Sequence, residues 1–219
     1  VGAPTRHYLL RNTGNATFTD VTIEYFPQAA TLGFVSAASV GDINGDGKPE
    51  LITVGEFSSV NAFSFTNGKA SVVSTGLEQQ FGYWQSMAIA DVDGDNDLDL
   101  VLGNMGENGY LKPSATAPMK LWFGDFDNNQ LYDKILTRTV NGKDVPVFLK
   151  RDLTDQMPSL KKQNLRFETF ATKSVQELFS PEQLAKGKQY TCNYAQSAVA
   201  INNGSGKFAL QALPMQVQL

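Results

Sequence analysis

Short apolar runs alternate with small and polar residues along most of the chain, and turn formers separate them every few positions. Val35 to Asp42 is a run of small and β-branched residues, Glu50 to Val54 reads Glu-Leu-Ile-Thr-Val, and Val60 to Phe65 follows. Asn67-Gly68 is a hairpin signal, and Ala70 to Ser74 comes next. Four such runs in succession predict a four-stranded antiparallel unit over residues 33–80. Before it, Tyr8 to Arg11 and Thr17 to Ile23 flank an Asn12-Thr13-Gly14-Asn15 turn, which predicts a hairpin within 1–32 that lacks its opening half. Val1-Gly2-Ala3-Pro4 has the composition of a strand end entering a turn.

The pattern then restarts. Phe81-Gly82 leads into Ser86 to Ala90, and Leu98 to Leu102 follows after an acidic loop. The acidic loops of the two units start 49 residues apart, at Asp42 and Asp91, close to one four-stranded propeller blade. Asn202-Asn203-Gly204-Ser205-Gly206-Lys207-Phe208 echoes the earlier Asn12 to Phe18 turn. Between them, Met119 to Phe123 and Lys134 to Val140 flank a further acidic loop. From about Arg151 to Lys188 the period becomes helical: Phe167, Phe170, Ala171, Ser174, Val175 and Leu178 share one helix face. Ser180-Pro181-Glu182-Gln183 predicts a capped helix start, with Pro181 at the first helical position and Gln183 closing a capping box. A separate domain of so few residues could hardly bury a core. The expected architecture is therefore all-β: a single β-propeller segment over 1–219 with about two to three four-stranded blades. It would comprise a partial blade (1–32), a blade (33–80), and further blades (81–219) with a small α-helical insertion at about 151–188.

The candidate chemistry lies in the acidic loops. Asp91-Val92-Asp93-Gly94-Asp95-Asn96-Asp97-Leu98-Asp99 places a carboxylate on every second residue. Like charges at that spacing repel, and a hard cation with oxygen ligands reverses the sign of that interaction. Asp42-Ile43-Asn44-Gly45-Asp46-Gly47-Lys48-Pro49-Glu50 and Asp125-Phe126-Asp127-Asn128-Asn129-Gln130-Leu131-Tyr132-Asp133 repeat the design. Oxygen-bearing side chains occupy positions 1, 3 and 5, and a carboxylate closes each loop at position 9. An EF-hand would need a bidentate Glu at position 12 and flanking helices. Position 12 here is Thr53, Leu102 or Leu136, each within an apolar β-type run, which excludes that motif. Side chains 1, 3 and 5 can converge on an ion, with the main-chain carbonyl of position 7 offered by Lys48, Asp97 or Leu131. The middle loop, at 91–99, carries the most charge. The loop at 125–133 has no Gly and replaces one carboxylate with Asn129.

Composition narrows the function classes. A net charge of −4 with no basic stripe argues against nucleic-acid binding. The single cysteine, Cys192, excludes an intrachain disulfide framework and a Cys-based zinc site. No apolar run approaches the length of a membrane span. Because the chain starts at Val1 rather than Met, a processed or truncated product is expected. The only histidine, His7, has no second His with which to build a metal site, and no nucleophile elbow or phosphate-cradling Gly motif occurs. Tyr83, Trp84, Trp122 and Phe123 are sugar-stacking candidates, with packing between blades the expected role. No catalytic residue is assigned.

Phe81-Gly82, followed by Asp91-Val92-Asp93-Gly94-Asp95-Asn96-Asp97-Leu98-Asp99-Leu100-Val101-Leu102-Gly103-Asn104, resembles FG-GAP/VCBS repeats, the blades of integrin-α-type β-propellers. Val1-Gly2-Ala3-Pro4 resembles the "GAP" end of such a repeat. The order of blade, third acidic loop, helical stretch and Asn-Asn-Gly-Ser-Gly-Lys-Phe hairpin resembles bacterial VCBS proteins akin to cartilage acidic protein. The resemblance implies two to three Ca²⁺ ions, bound in loops between the first two strands of a blade. Carried onto this chain, the ligands are Asp42, Asn44, Asp46 and Glu50; Asp91, Asp93, Asp95 and Asp99; and Asp125, Asp127, Asn129 and Asp133. The loop at 42–50 departs from the pattern in closing with Glu50 instead of Asp. The family also implies an extracellular or cell-surface protein that binds other molecules, here a protein or glycan ligand. The blade count is too low to close a ring, so continuation into further blades of the same parent protein is expected. Two alternatives stand beside this non-catalytic reading: a lectin-like carbohydrate-binding propeller, and a calcium-dependent polysaccharide-degrading enzyme.

Overall fold

Each acidic loop bridges two antiparallel strands. The computed structural model describes residues 6–163 and 166–218; the expected turn at Val1-Gly2-Ala3-Pro4 lies outside them. Compactness divides the chain into two units, Val1–Asn108 with Ala195–Leu219, and Gly109–Tyr194.

The first unit opens with a hairpin, β1 (Leu10–Gly14) and β2 (Thr17–Asp20). Asn15 and Ala16 take positive φ at its turn. The second strand was expected to run to Ile23, but it stops at Asp20. There the Asp20 carboxylate accepts the Thr22 N–H at 2.9 Å and its hydroxyl at 2.6 Å, and the chain enters the helical turn α1 (Thr22–Tyr25). The expected four-stranded unit follows: β3 (Phe34–Gly41), β4 (Glu50–Ser58), β5 (Asn61–Thr66) and β6 (Lys69–Val73), antiparallel and in sequence order. Asn67 and Gly68 both have positive φ, as a tight right-twisting hairpin requires. The short β7 (Gly82–Tyr83) pairs with the far end of β4, with an irregularity in register between Glu56 and Ser58. Strand β4 is buried along most of its length, as befits a central strand covered on both faces.

The next sheet begins with β8 (Ser86–Ala90) and β9 (Asp99–Gly103), but the following residues do not complete it. They build the second unit: β10 (Met119–Gly124), β11 (Asp133–Val140), β12 (Lys143–Pro146), the helices α2 (Lys150–Gln156), α3 (Ser159–Gln163), α4 (Phe167–Ala171), α5 (Val175–Leu178) and α6 (Pro181–Leu184), and β13 (Lys188–Cys192). The chain then returns with β14 (Ala198–Asn202) and β15 (Phe208–Ala212), giving sheet order β15-β14-β9-β8. Ala198 pairs with Leu102 and Ala200 with Leu100, so strands about a hundred residues apart lie side by side. The Asn202 to Phe208 turn is thus the second hairpin of this blade.

In the second unit the sheet order is β12-β11-β10-β13. The helices between β12 and β13 supply the other half of its core: Leu153, Met157, Leu160, Phe170, Val175 and Leu178 pack with Trp122, Phe126 and Ile135. One continuous helix face was expected over Phe167 to Leu178. The structure breaks it instead, because Ser174 starts a new helix. The Ser174 hydroxyl and the Glu177 carboxylate form a reciprocal capping box, and Phe167 is left exposed. These bonds, Ser174 N–H first and then Lys143, hold the Glu177 carboxyl down at about 2. The capping box expected at Ser180 and Gln183 is present, with Pro181 at the first helical position. The fold is therefore mostly β, built around antiparallel sheets of four or five strands consistent with propeller blades, with helices inserted between two strands of one sheet.

Candidate metal centres in the acidic loops

Loop 1 (42–50) joins β3 to β4, loop 2 (91–99) joins β8 to β9, and loop 3 (125–133) joins β10 to β11. Position 9 begins the second strand in every case, as Glu50, Asp99 and Asp133, and position 12 lies inside that strand. The three closing carboxylates are at most 1 % exposed. Each accepts the backbone N–H of loop position 2: Ile43 to Glu50 at 3.1 Å, Val92 to Asp99 at 2.9 Å, and Phe126 to Asp133 at 2.9 Å.

The opening aspartate is held with equal regularity. One oxygen of Asp42 accepts from Gly45 at 2.8 Å and the other from Gly47 at 2.8 Å. Asp91 takes Gly94 at 2.7 Å and Asn96 at 3.1 Å, while Asp125 takes Asn129 and Gln130, both at 3.0 Å. Position 5 accepts the N–H of position 7, from Lys48, Asp97 and Leu131 at 2.8, 2.9 and 2.7 Å. Positions 4 and 6 have positive φ throughout: Gly45 and Gly47, Gly94 and Asn96, Asn128 and Gln130. Loop 3 thus reaches the same backbone path without a glycine. Asn tolerates the left-handed region through its short polar side chain, whereas Gln130 has no such local compensation.

These bonds bring like charges together. One oxygen from each of Asp91, Asp93 and Asp99 lies within 4.8 Å of the others, and the same holds for Asp125, Asp127 and Asp133. Burial, then the neighbouring Asp95, Asp99 and Asp91, push the Asp93 carboxyl above its ordinary range. Burial, then Asp127 and Asp125, do the same to Asp133, despite the Phe126 N–H. Glu50 is raised by burial, with Asp46 and Asp42 adding to it. The Asp127 Oδ1 atom is buried and has no hydrogen-bond partner. A buried, unpartnered carboxylate oxygen among two other carboxylates is costly by itself and suits a hard cation. Loop 1 differs: Asn44 turns its amide nitrogen to Glu50 Oε1 at 3.1 Å, and its carbonyl oxygen accepts the Asp46 N–H at 3.0 Å.

Several supporting residues were not visible in the sequence. Asn202, at the end of β14, donates from Nδ2 to the carbonyls of Ile43 in loop 1 (2.7 Å) and Leu98 in loop 2 (3.1 Å). Its backbone N–H reaches Asp99 Oδ1 at 2.8 Å. Gly204, at φ +80°, brings the following turn against loop 2, where a Cβ would lie 2.6 Å from the Asp97 carboxylate. In the second unit Gln183 Nε2 donates to the Phe126 carbonyl at 2.7 Å, and Gln156 Nε2 to Asp133 Oδ1 at 3.3 Å. Asn202 and Gln183 therefore support the same position-2 carbonyl in different loops. The repeated Asn-Gly turn was the one sequence signal pointing to Asn202; nothing local marks the two glutamines.

The other candidates are engaged elsewhere. Trp84 is fully buried and donates to the Ser58 carbonyl at 2.9 Å, while Trp122 and Phe123 are buried in the second unit. Tyr83 packs edge-on against Phe57. Trp84, Trp122 and Phe123 are thus taken up in packing, and Tyr83 is half-buried. Cys192 is buried, with its thiol pushed up to about 11 by desolvation, as expected of a packed residue. His7 directs Nε2 to the Gly33 carbonyl at 2.9 Å. Among the described residues, no helix is long and apolar enough to cross a membrane.

A family model for FG-GAP-like repeats matches residues 1–53 and 42–102, taking in loop 1 twice and loop 2 once. No curated protein and no solved structure matches the chain. Acidic loops between successive strands of antiparallel sheets, together with the family match, identify residues 1–102 as FG-GAP-like repeats.

Proposed function

We propose that this chain is a calcium-stabilised, non-catalytic segment of an exported or cell-surface protein that binds a protein or glycan partner. One observation carries the reading: three loops of different sequence hold positions 1, 5 and 9 by the same kinds of backbone N–H bonds, and in loop 3, where the Asn129 N–H goes to Asp125 instead of to position 3, the Asp127 Oδ1 atom is left buried without a partner. The donor set is all oxygen, mixing carboxylate, amide and main-chain groups, which suits Ca²⁺ rather than zinc. The ligands would be Asp42, Asn44, Asp46, Glu50 and the Lys48 carbonyl; Asp91, Asp93, Asp95, Asp99 and the Asp97 carbonyl; and Asp125, Asp127, Asn129, Asp133 and the Leu131 carbonyl. The likeness to bacterial VCBS chains of the cartilage-acidic-protein kind belongs to this reading.

The ions would be structural. Each would join the end of one strand to the start of the next, and would neutralise carboxylates that otherwise repel at the sheet rim. Carboxylates committed in this way are poor general acids, which supports a binding role over catalysis. Millimolar calcium outside cells would fill sites with affinities near 10⁻⁴ M, each adding about 1.4 kcal/mol by linkage. Calorimetric titration of the calcium-stripped chain with Ca²⁺ is expected to show three ions bound, and Asp93→Ala is expected to remove one. A titration with no binding heat and no bound ion by dialysis would contradict the proposal.

A further inference from the structure

Asn202 does more than end a strand. It is 4 % exposed, and every polar group of its side chain is engaged. Nδ2 donates to the Ile43 carbonyl of loop 1 and the Leu98 carbonyl of loop 2. Oδ1 accepts from Gly204 at 3.2 Å and Gly206 at 3.0 Å, fixing the turn that follows. Its backbone N–H holds the second oxygen of Asp99, whose first oxygen holds the Val92 N–H. In loop 1 the residue whose carbonyl Asn202 grips is the one whose N–H holds Glu50. Asn202 therefore links the two loops: its backbone N–H holds the closing carboxylate of loop 2, and its side-chain amide holds Ile43, the residue whose own N–H holds the closing carboxylate of loop 1. Loop 3 has no part in this link; its position-2 carbonyl is held by Gln183 within its own unit.

From this we infer that Asn202 is a positioning residue that couples the cation sites of loops 1 and 2, so that occupancy of either tightens the other, while loop 3 binds independently. The inference rests on the proposed calcium reading. Its physical basis is shared ordering: an ion in loop 2 fixes Asp99 and with it the Asn202 backbone. The Asn202 amide then holds the Ile43 peptide in the orientation that loop 1 needs, so a second ion has less to order. A carbonyl left without its buried donor would instead relax away from that orientation.

The test is calcium titration of the full chain by calorimetry, with sites disabled singly. Asp91→Ala, which removes loop 2, is expected to weaken loop 1 by about fivefold to tenfold, within the usual range of site-to-site coupling. Asp42→Ala is expected to weaken loop 2 by the same factor, because coupling is reciprocal. Asp125→Ala should change neither. In Asn202→Ala the cross-effect between loops 1 and 2 is expected to vanish while the affinity of loop 3 is kept. The two aspartate variants leave Asn202 intact, so the coupling can be read even if Asn202→Ala folds poorly. Three bound ions with loop 1 indifferent to Asp91→Ala would overturn the coupling alone. No bound calcium in the unaltered chain would overturn the calcium reading and the coupling with it.

Discussion

In excess chelator the first unit is expected to melt roughly 10 °C below its calcium-loaded form. Loops 1 and 2 both lie in this unit, and two sites at about 1.4 kcal/mol each remove nearly 3 kcal/mol. For a body of this size, 1 kcal/mol corresponds to about 3–5 °C. The pH dependence should reverse at the same time. Without the ion, Glu50, Asp93 and Asp133 titrate above their ordinary values. The fold then holds these protons more tightly than the unfolded chain does. That contribution is complete below the ordinary carboxylate range and is lost as pH rises through the raised values. Glu78 and Glu177, held down at about 2, contribute the opposite way, but only below about pH 4.5. The chelated protein is therefore expected to regain melting temperature as pH falls from 7 into the range where the raised carboxyls take up protons, whereas the calcium-loaded protein loses it as protons compete for the ion's place. Melting followed by circular dichroism, with and without chelator, at pH 7 and over a series of lower pH values, checks the pair. Superimposable curves with and without chelator at pH 7 would contradict it.

Phe126→Ala is expected to cost about 3–5 kcal/mol in the second unit, the range for truncating a buried aromatic. Phe126 occupies position 2 of loop 3, is fully buried, and packs 5.5 Å centre to centre from Phe179 within the helix-covered core. Its backbone is also part of the loop: the N–H holds Asp133 and the carbonyl accepts Gln183. Losing the ring should therefore loosen loop 3 as well as the core, with one fewer calcium bound and loops 1 and 2 unaffected. Chemical denaturation gives the stability change and a calcium titration the stoichiometry. A loss below 1 kcal/mol with all sites retained would show that the helices do not depend on this anchor.

The elements that were legible in the sequence are those set by local chemistry. The Asn67-Gly68 turn, the alternating strands around loops 1 and 2, and the Ser180-Pro181 helix start each follow from a few neighbouring residues, and all are present. The acidic loops were visible because their oxygen-bearing side chains fall within nine consecutive residues. Phe167 to Leu178 misled because hydrophobic period is blind to capping: Ser174 and Glu177 satisfy a new helix start in the middle of an unbroken apolar stripe. The pairing of β9 with β14 was hidden for a different reason. Nothing near Leu100 records that its partner, Ala200, comes after an inserted unit with a core of its own. For the same reason Asn202, Gln156 and Gln183 could not be read as supports of the loops, since their roles exist only after distant strands and helices have met.

The most direct test of the central claim is a crystal structure grown in calcium, with data collected at a wavelength where calcium scatters anomalously. The account predicts a peak inside each of loops 1, 2 and 3, with oxygens of positions 1, 3, 5, 7 and 9 at about 2.3–2.6 Å. Loops that carry no anomalous peak, with their carboxylates turned out to solvent, would contradict it.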